Sequence, residues 1–544
     1  MGVLTVIEVS GDLTAARRSA LAAELAQAGG AVLLRIASAG LPEAELGVAA
    51  AVAEVAALCE AIENRTAAVV AVLSGQVRGA ALELALAAGA RVARQGAAFG
   101  FSDAGLGLVP GAGATQRLPR LVGAAEALRM LQDGAEVDAV TAFATGLVDA
   151  LAEGDGVQDA VRLAGALPLR KGIRDGRAYL ATVAAARGAA RTPAQARIVD
   201  CVEAALMLPH GPGLAFERVT FEDLCASAET QGLLHARRAF AVAADAAVPV
   251  ARLGIWGAAA PAVGLAVAAL RAGLEVQLAA ESREAVVKAL ADVAERQEAE
   301  VQAGRMLPEA REAEWARLLP QVGAAGLAGV DLTVMTEAGA VAGPRLAYGV
   351  ALADVPVLTR FESLAEIAAN GAAPDHVARG AGLARALGWV PVVTRQGGPV
   401  VLRLATALAE AVAWVEAQAA AQDAGRGVGR AALAQSLAAQ GIAGEGAARA
   451  GVADGIALRC LAALANEGAR LVGEGIAPSA AHVDAVAIAA GLMARWTGGP
   501  MHQANRRGLM VLRRDLRGWA ADDAALWTPA PLIDALIAEG RGFT

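Results

Sequence analysis

Aromatic side chains are scarce. Phe, Trp and Tyr make up 3% of the 544 residues, so the cores must be filled by Ala, Val, Leu and Gly, within a hydrophobic fraction of 56%. Cysteine is limited to Cys59, Cys201, Cys225 and Cys460, far apart and without a CxxC spacing. That excludes a disulfide framework and reads as reduced, buried thiols of a cytosolic protein, with no metal site expected. Basic charge is not in excess: 47 Lys and Arg against 55 Asp and Glu leave a net charge of −8. There is no electrostatic case for a nucleic acid or an anionic membrane. Long apolar runs are also lacking. Leu253–Leu270 carries no charge, but Pro261 and three glycines (Gly254, Gly257, Gly264) interrupt it, so it parses as strand, turn and helix rather than as a membrane span. No basic leader with a cleavage site opens the sequence, and the final Gly-Arg-Gly-Phe-Thr is not a peroxisomal address, so a cytoplasmic location is expected.

What is present is length for three or four domains and one stretch, Ala67–Arg120, dense in chemistry. Ala67–Leu73 is a Val-rich apolar run of strand length. The chain then turns through Ser74–Gly79 and enters the alanine-rich Ala80–Ala88, predicted to be helical. The N–H groups of Ala80 and Ala81 thereby stand at a helix N-terminus, where developing negative charge is favoured. Glu83 lies one turn inside, and Asp103 follows in a glycine-rich loop that continues through Gly105–Gly113. Two acids beside a backbone anion pocket are the parts needed to move protons around an enolate.

The chain reads Gly75-Gln-Val-Arg-Gly79-Ala-Ala-Leu-Glu83-Leu-Ala, then Phe99-Gly-Phe-Ser-Asp103, then Gly107-Leu-Val-Pro110-Gly-Ala-Gly-Ala-Thr-Gln-Arg117-Leu-Pro-Arg120. These segments resemble the crotonase (enoyl-CoA hydratase/isomerase) family pattern G-x-x-x-G-G-G-x-E-L-A, F-G-x-P-E and G-x-x-P-G-x-G-G-T-Q-R-L-P-R. The resemblance implies that Glu83 and Asp103 handle the water added across the double bond of an acyl-CoA thioester. It also implies that the N–H groups of Ala80 and Leu41 hold the thioester oxygen, Leu41 lying in the Ser38-Ala-Gly-Leu41-Pro42 loop. Asp103 replaces a glutamate and is one methylene shorter, while Ala80 and Ala81 replace glycines. No cofactor is required for this chemistry; a coenzyme A thioester is the substrate.

Further along, Gly211-Pro-Gly-Leu-Ala-Phe-Glu-Arg218 through Gly232-Leu-Leu-His235 resembles the connector of multifunctional β-oxidation enzymes, which join a hydratase domain to a 3-hydroxyacyl-CoA dehydrogenase. His235, on a mixed helical face, reads as structural. From Val248 a βαβ pattern begins: strand Val250–Trp256, helix Ala262–Ala272, strand Glu275–Leu278. The fingerprint G-x-G-x-x-G is reduced to Gly257-Ala-Ala259-Ala-Pro-Ala262, so Gly257 is its vestige. The acid that should hold the ribose falls on Ala280, with Glu281 as neighbour. The family's catalytic histidine falls on Asp354, its glutamate on Glu366, its asparagine on Leu402 before Arg403, and the span Asp331–Asp354 is short by about forty residues against the spacing the resemblance implies.

The expected architecture is therefore a multidomain α/β chain: a crotonase-like β/α spiral domain over 1–190 and a helical linker over 191–247. A degenerate Rossmann-like, doubly wound domain follows over 248–395, then all-α dehydrogenase-type modules over 396–544. The expected activity is that of an enoyl-CoA hydratase, with an isomerase using the same parts, and NAD binding is not expected. Two alternatives stand beside it: a full bifunctional hydratase and NAD-dependent dehydrogenase, and a non-catalytic acyl-CoA-binding or assembly partner. Monomer and homo-oligomer are equally compatible with the sequence.

Overall fold

A computed structural model describes residues 4–168, 172–173, 175–243, 247–395, 399–422, 435–438, 440–442 and 454–544. The chain divides into two compact units, Met1–Leu234 and His235–Thr544.

The first unit opens as repeated β/α turns. Strand β1 (Leu4–Asp12) leads through α1 (Ala15–Gln27) to β2 (Ala31–Gly40), and α2 (Ala49–Glu63) leads to β3 (Val69–Ser74). Then come the short β4 (Gln76–Arg78), α3 (Ala80–Ala87), β5 (Ala90–Ala93) and β6 (Ala98–Gly100). The strands β1, β2, β3, β5 and the later β8 form one parallel sheet in the order 1-2-3-5-8. β3 is buried on both faces, as its unbroken Val-Val-Ala-Val-Leu run requires. A second small sheet runs β4-β6-β7, and its turn out of β4 launches α3.

The rest of this unit is mostly helical: α4 (Ala114–Val122), α5 (Ala124–Leu131), β7 (Val137–Asp138), α6 (Ala139–Thr145), β8 (Ala150–Leu151), α7 (Val157–Gly165), α8 (Gly176–Ala189), α9 (Pro193–Met207), α10 (His210–Cys225) and the first turns of α11 (Ala228–Ala243), which belongs to the second unit from His235 on. Thr14, Asp138, Asp175 and Thr192 cap four of the helices through side-chain oxygens. The segment read as a linker is not a tether as far as Leu234: α9 and α10 pack on α4 and on each other, and Val199, Val202, Phe221 and Leu224 belong to the same core as β3 and α3.

The second unit is built on an eight-stranded sheet. Its strands are β9 (Arg252–Trp256), β10 (Glu275–Ala280), β11 (Leu318–Val322), β12 (Leu332–Met335), β13 (Arg345–Tyr348), β14 (Val357–Phe361), β15 (Leu364–Ala368) and β16 (Val390–Thr394). Their order is 11-10-9-12-13-14-15-16, the doubly wound arrangement with its switch between β9 and β12; β14 and β15 pair antiparallel and the other neighbours parallel. Helix α12 (Ala260–Arg271) links β9 to β10, and α13 (Arg283–Gln302) with α14 (Pro308–Trp315) leads to β11. The charge-free run Leu253–Leu270 is thus β9, a turn and α12. No helix among the described residues is long and apolar enough to cross a membrane.

The parallel neighbours β12, β13 and β14 are joined by loops 336–344 and 349–356 without a helix. Parallel crossovers ordinarily take about a dozen residues or more and carry one. The shortness of the span Asp331–Asp354 in the sequence falls on these two connections. After α15 (Pro374–Ala386) and β16, α16 (Val400–Gln422) begins a helical bundle with Asp454–Gly473, Ala480–Ala489, Pro500–Arg507, Leu509–Trp519 and Pro531–Ala538. Positions 396–398, where the helical modules were expected to begin, lie outside the described residues.

Candidate active site

The register Ala37↔Ser74 between β2 and β3 sets the segments that follow them side by side. The segment Ser38–Gly40, expected as a loop, is the end of β2, and the Ser38 hydroxyl accepts the Gln76 N–H at 3.2 Å, fastening that end to β4 just ahead of α3. Leu41 and Ala80 are both half-buried against the core of this unit. Ala80 is the first residue of α3, so its N–H has no partner within the helix. Ser38 takes a left-handed backbone at φ 45°, a conformation that costs about 1 kcal/mol or more for a non-glycine residue.

Glu83 sits in the first turn of α3 and is 5% exposed. Its carboxylate accepts the N–H of Ala112 at 2.8 Å and of Ala114 at 3.2 Å. These amides belong to the turn at the head of α4, where Gly113 adopts φ 107° and a side chain would collide with the Arg117 guanidinium. Burial, then the charges of Glu217 and Asp103, push the Glu83 carboxyl well above the usual carboxylate range. Asp103 opens a 3₁₀ turn, Asp103–Leu106, and is half-buried; loss of solvent pushes it up to about 6. The charge of Asp103 acts on Glu83, while burial is what raises Asp103 itself.

Two residues outside the motif also hold this site. Thr230, on α11, donates to the Gly107 carbonyl at 2.7 Å and so anchors the turn that carries Asp103. Glu217, on α10, is fully buried; its carboxylate accepts the N–H of Gly113 at 2.5 Å and of Thr115 at 2.8 Å, and the Thr115 hydroxyl. Sequence reasoning passed over both as parts of a connector. A signal was present: Gly213, Glu217, Thr220, Phe221 and Leu224 form the buried stripe of α10, and a glutamate at helical spacing among such residues needs a partner.

A cavity of about 340 Å³ is lined by the Gly111–Gly113 turn together with Glu60, Glu63, Arg117, His210 and Arg218 among others. Arg117 pairs with Glu63 at 2.9 Å and donates to the Ala112 carbonyl at 2.6 Å. Burial opposes the Glu63 charge, but hydrogen bonds from His210 and Arg117 outweigh it and hold this carboxyl at about 2. The cavity is thus balanced in charge and borders the turn.

In the second unit the residues matched to the dehydrogenase pattern are held in other roles or exposed. Asp354 is exposed in a turn at φ 55°. Glu366, on β15, is 1% exposed and accepts the N–H of Val400 at 2.6 Å and of Val401 at 3.1 Å, so it caps α16 instead of orienting a base. Leu402 is exposed, Arg403 pairs with Glu467 at 2.5 Å, and Glu281 is exposed in the bend after β10. His235 meets Asp484 at 2.8 Å and stacks on His502 with ring centroids 4.3 Å apart.

The residues where a dinucleotide would bind do not fit one. Gly257 is at φ 127°, and a side chain there would collide with Thr336 Oγ1, which itself donates to the Trp256 carbonyl at 3.0 Å. The Trp256 indole donates to the Ala338 carbonyl at 3.3 Å and packs with Ala279, Leu327, Met335 and Val341. This apolar cluster gathers around Trp256 at the carboxyl ends of β9, β10 and β12, the edge where a doubly wound sheet would take its ligand.

In class, then, residues 40–198 are similar to the family whose model is described as Enoyl-CoA hydratase/isomerase. Among curated proteins, the fatty acid oxidation complex subunit alpha of Shewanella loihica is 36% identical over 193 residues, 32% of this chain and 27% of that one. Its counterpart in Shewanella halifaxensis is 36% identical over 189 residues, 31% and 27% of the two chains. The match spans little more than a quarter of the length of these relatives. A solved enoyl-CoA hydratase from Mycobacterium avium subsp. paratuberculosis K-10 aligns at 22% identity over 41% of this chain and 90% of its own, with a TM-score of 0.30.

Proposed function

We propose that the first unit hydrates the double bond of an enoyl-CoA thioester, and that the second unit is a dehydrogenase-type scaffold that holds no NAD. The observation that carries the reading is the buried Glu83 carboxylate in the first turn of α3, whose first residue Ala80 has an N–H without a partner in the helix, with the half-buried Asp103 acting on Glu83 by its charge. The N–H groups of Ala80 and Leu41 receive the thioester oxygen as it gains negative charge. One carboxylate takes a proton from water as its oxygen bonds to Cβ, and the other, as the acid, delivers a proton to Cα. Activity therefore needs one proton on the pair, which raised proton affinities supply near neutrality.

The four-part division at 190, 247 and 395 belongs to this reading, with the provision that the helices up to Leu234 serve the first unit. The Trp256 cluster supports the absence of NAD. The test is the loss of the conjugated-thioester absorbance of crotonyl-CoA on adding the full chain. No decay at high protein concentration overturns the hydratase reading.

A further inference from the structure

We infer that Glu217 is a positioning residue for Glu83: from α10 it clamps the turn whose amides hold the Glu83 carboxylate, and it sets a second carboxylate on that same turn. The inference rests on the reading of Glu83 as an acid–base group. Four consecutive amides carry it. The N–H groups of Ala112 and Ala114 point to Glu83, and those of Gly113 and Thr115 point to Glu217. The two carboxylates thus grip alternate sides of one turn at the head of α4, a place where the helix dipole favours negative charge. Both are almost fully buried, at 5% and 0% exposure. Two carboxylates in one dry pocket ionise one after the other, because the first charge raises the cost of the second.

Among the described residues, Arg117, Cys59, Cys201 and Asp103 are the titratable groups that bear on the pair. Arg117 on α4 is the nearby cation, and it is engaged with Glu63 on α2 and with the Ala112 carbonyl. Cys59 on α2 and Cys201 on α9 are thiols whose burial raises their proton affinity, Cys201 to about 12, so both stay neutral. Asp103 adds a third negative charge from its 3₁₀ turn. Burial places Glu217, like Glu83, above the usual carboxylate range. Glu217 lies beyond residues 40–198, so the segment after the matched domain supplies a part of its site.

The experiment is kcat/KM against pH with crotonyl-CoA for the full chain, for Glu217→Gln and for Glu217→Asp. The alkaline limb reports loss of the shared proton. With Glu217→Gln it moves down by about one pH unit or more, since a neighbouring negative charge is removed; with Glu217→Asp it stays near the wild-type position even where kcat falls. A Gln variant that loses activity uniformly, with its limb unmoved, reduces Glu217 to a structural clamp and overturns the inference. Should Glu217→Gln not fold, Thr115→Val, which removes one donor to Glu217, moves the limb the same way by less; an unmoved limb overturns the inference there too. A wild-type chain that leaves crotonyl-CoA unchanged defeats the hydratase reading alone. The inference is then read by ¹³C NMR titration of the carboxyl assigned to Glu83 through a Glu83→Gln difference spectrum. A lower titration midpoint in Glu217→Gln sustains it, and an unchanged midpoint overturns it.

Discussion

The two units treat matched acids in opposite ways. In the first, Glu83 is held by backbone amides while its carboxyl still feels Asp103 across the site. In the second, Glu366 is held just as firmly by the amides of Val400 and Val401, but Asp354, at the position matched to its catalytic partner, is exposed in a turn. A buried carboxylate on a helix N-terminus is therefore ambiguous until its second neighbour is known. Where another acid shares the pocket, its proton is poised for exchange. Where there is none, it is a cap.

That contrast can be broken most directly at Glu83. Glu83→Gln is expected to lower kcat for crotonyl-CoA hydration by roughly 10²- to 10⁴-fold with little change in KM; an unchanged kcat would remove the distinction between the units. Next in size, on the proposed reading, 3-hydroxybutyryl-CoA with NAD should give no NADH and no thermal shift with NAD alone, because an apolar cluster around Trp256 stands where the dinucleotide would approach the sheet. NADH production would put both units on the same footing.

Glu366→Gln should destabilise the second unit by roughly 1 to 3 kcal/mol in chemical denaturation, by weakening a buried cap, while hydration is retained. The smallest expected effect is on stability against pH. Asp103 is held at about 6, above its ordinary 3.8, so it favours the folded state most below the ordinary value, and that contribution fades as pH rises through 6. Asp103→Asn should therefore raise the denaturation midpoint of the first unit above pH 6 but not at pH 4, while lowering activity. A midpoint gain equal at both pH values would show that desolvation of the charge is not its origin.

Much of this was legible in the amino-acid order. A Val-rich run marked β3, alanine-rich stretches marked helices such as α3, and the interrupted apolar run Leu253–Leu270 parsed correctly as β9 and α12 because Gly257 and Pro261 break it. The candidate acids stood out through local spacing. Glu217 did not, since it reaches the α4 turn from more than a hundred positions away (104 residues from Gly113) and only tertiary packing makes it a neighbour. Glu366 was legible as an alignment position but not as a cap, because its amide donors arrive from α16, 34 residues on. The apolar cluster around Trp256 was half legible: lost glycines were visible, but the indole lying under Ala338 depends on how a shortened loop folds back.

The bond from Thr230 to the Gly107 carbonyl has a practical corollary for anyone dissecting the chain. An expression fragment cut at 198, where the family match stops, would leave the Asp103 turn and the head of α4 without the two side chains that hold them. Such a truncation would behave as a poor catalyst for reasons unrelated to its acids. The minimal working piece should extend at least to Leu234.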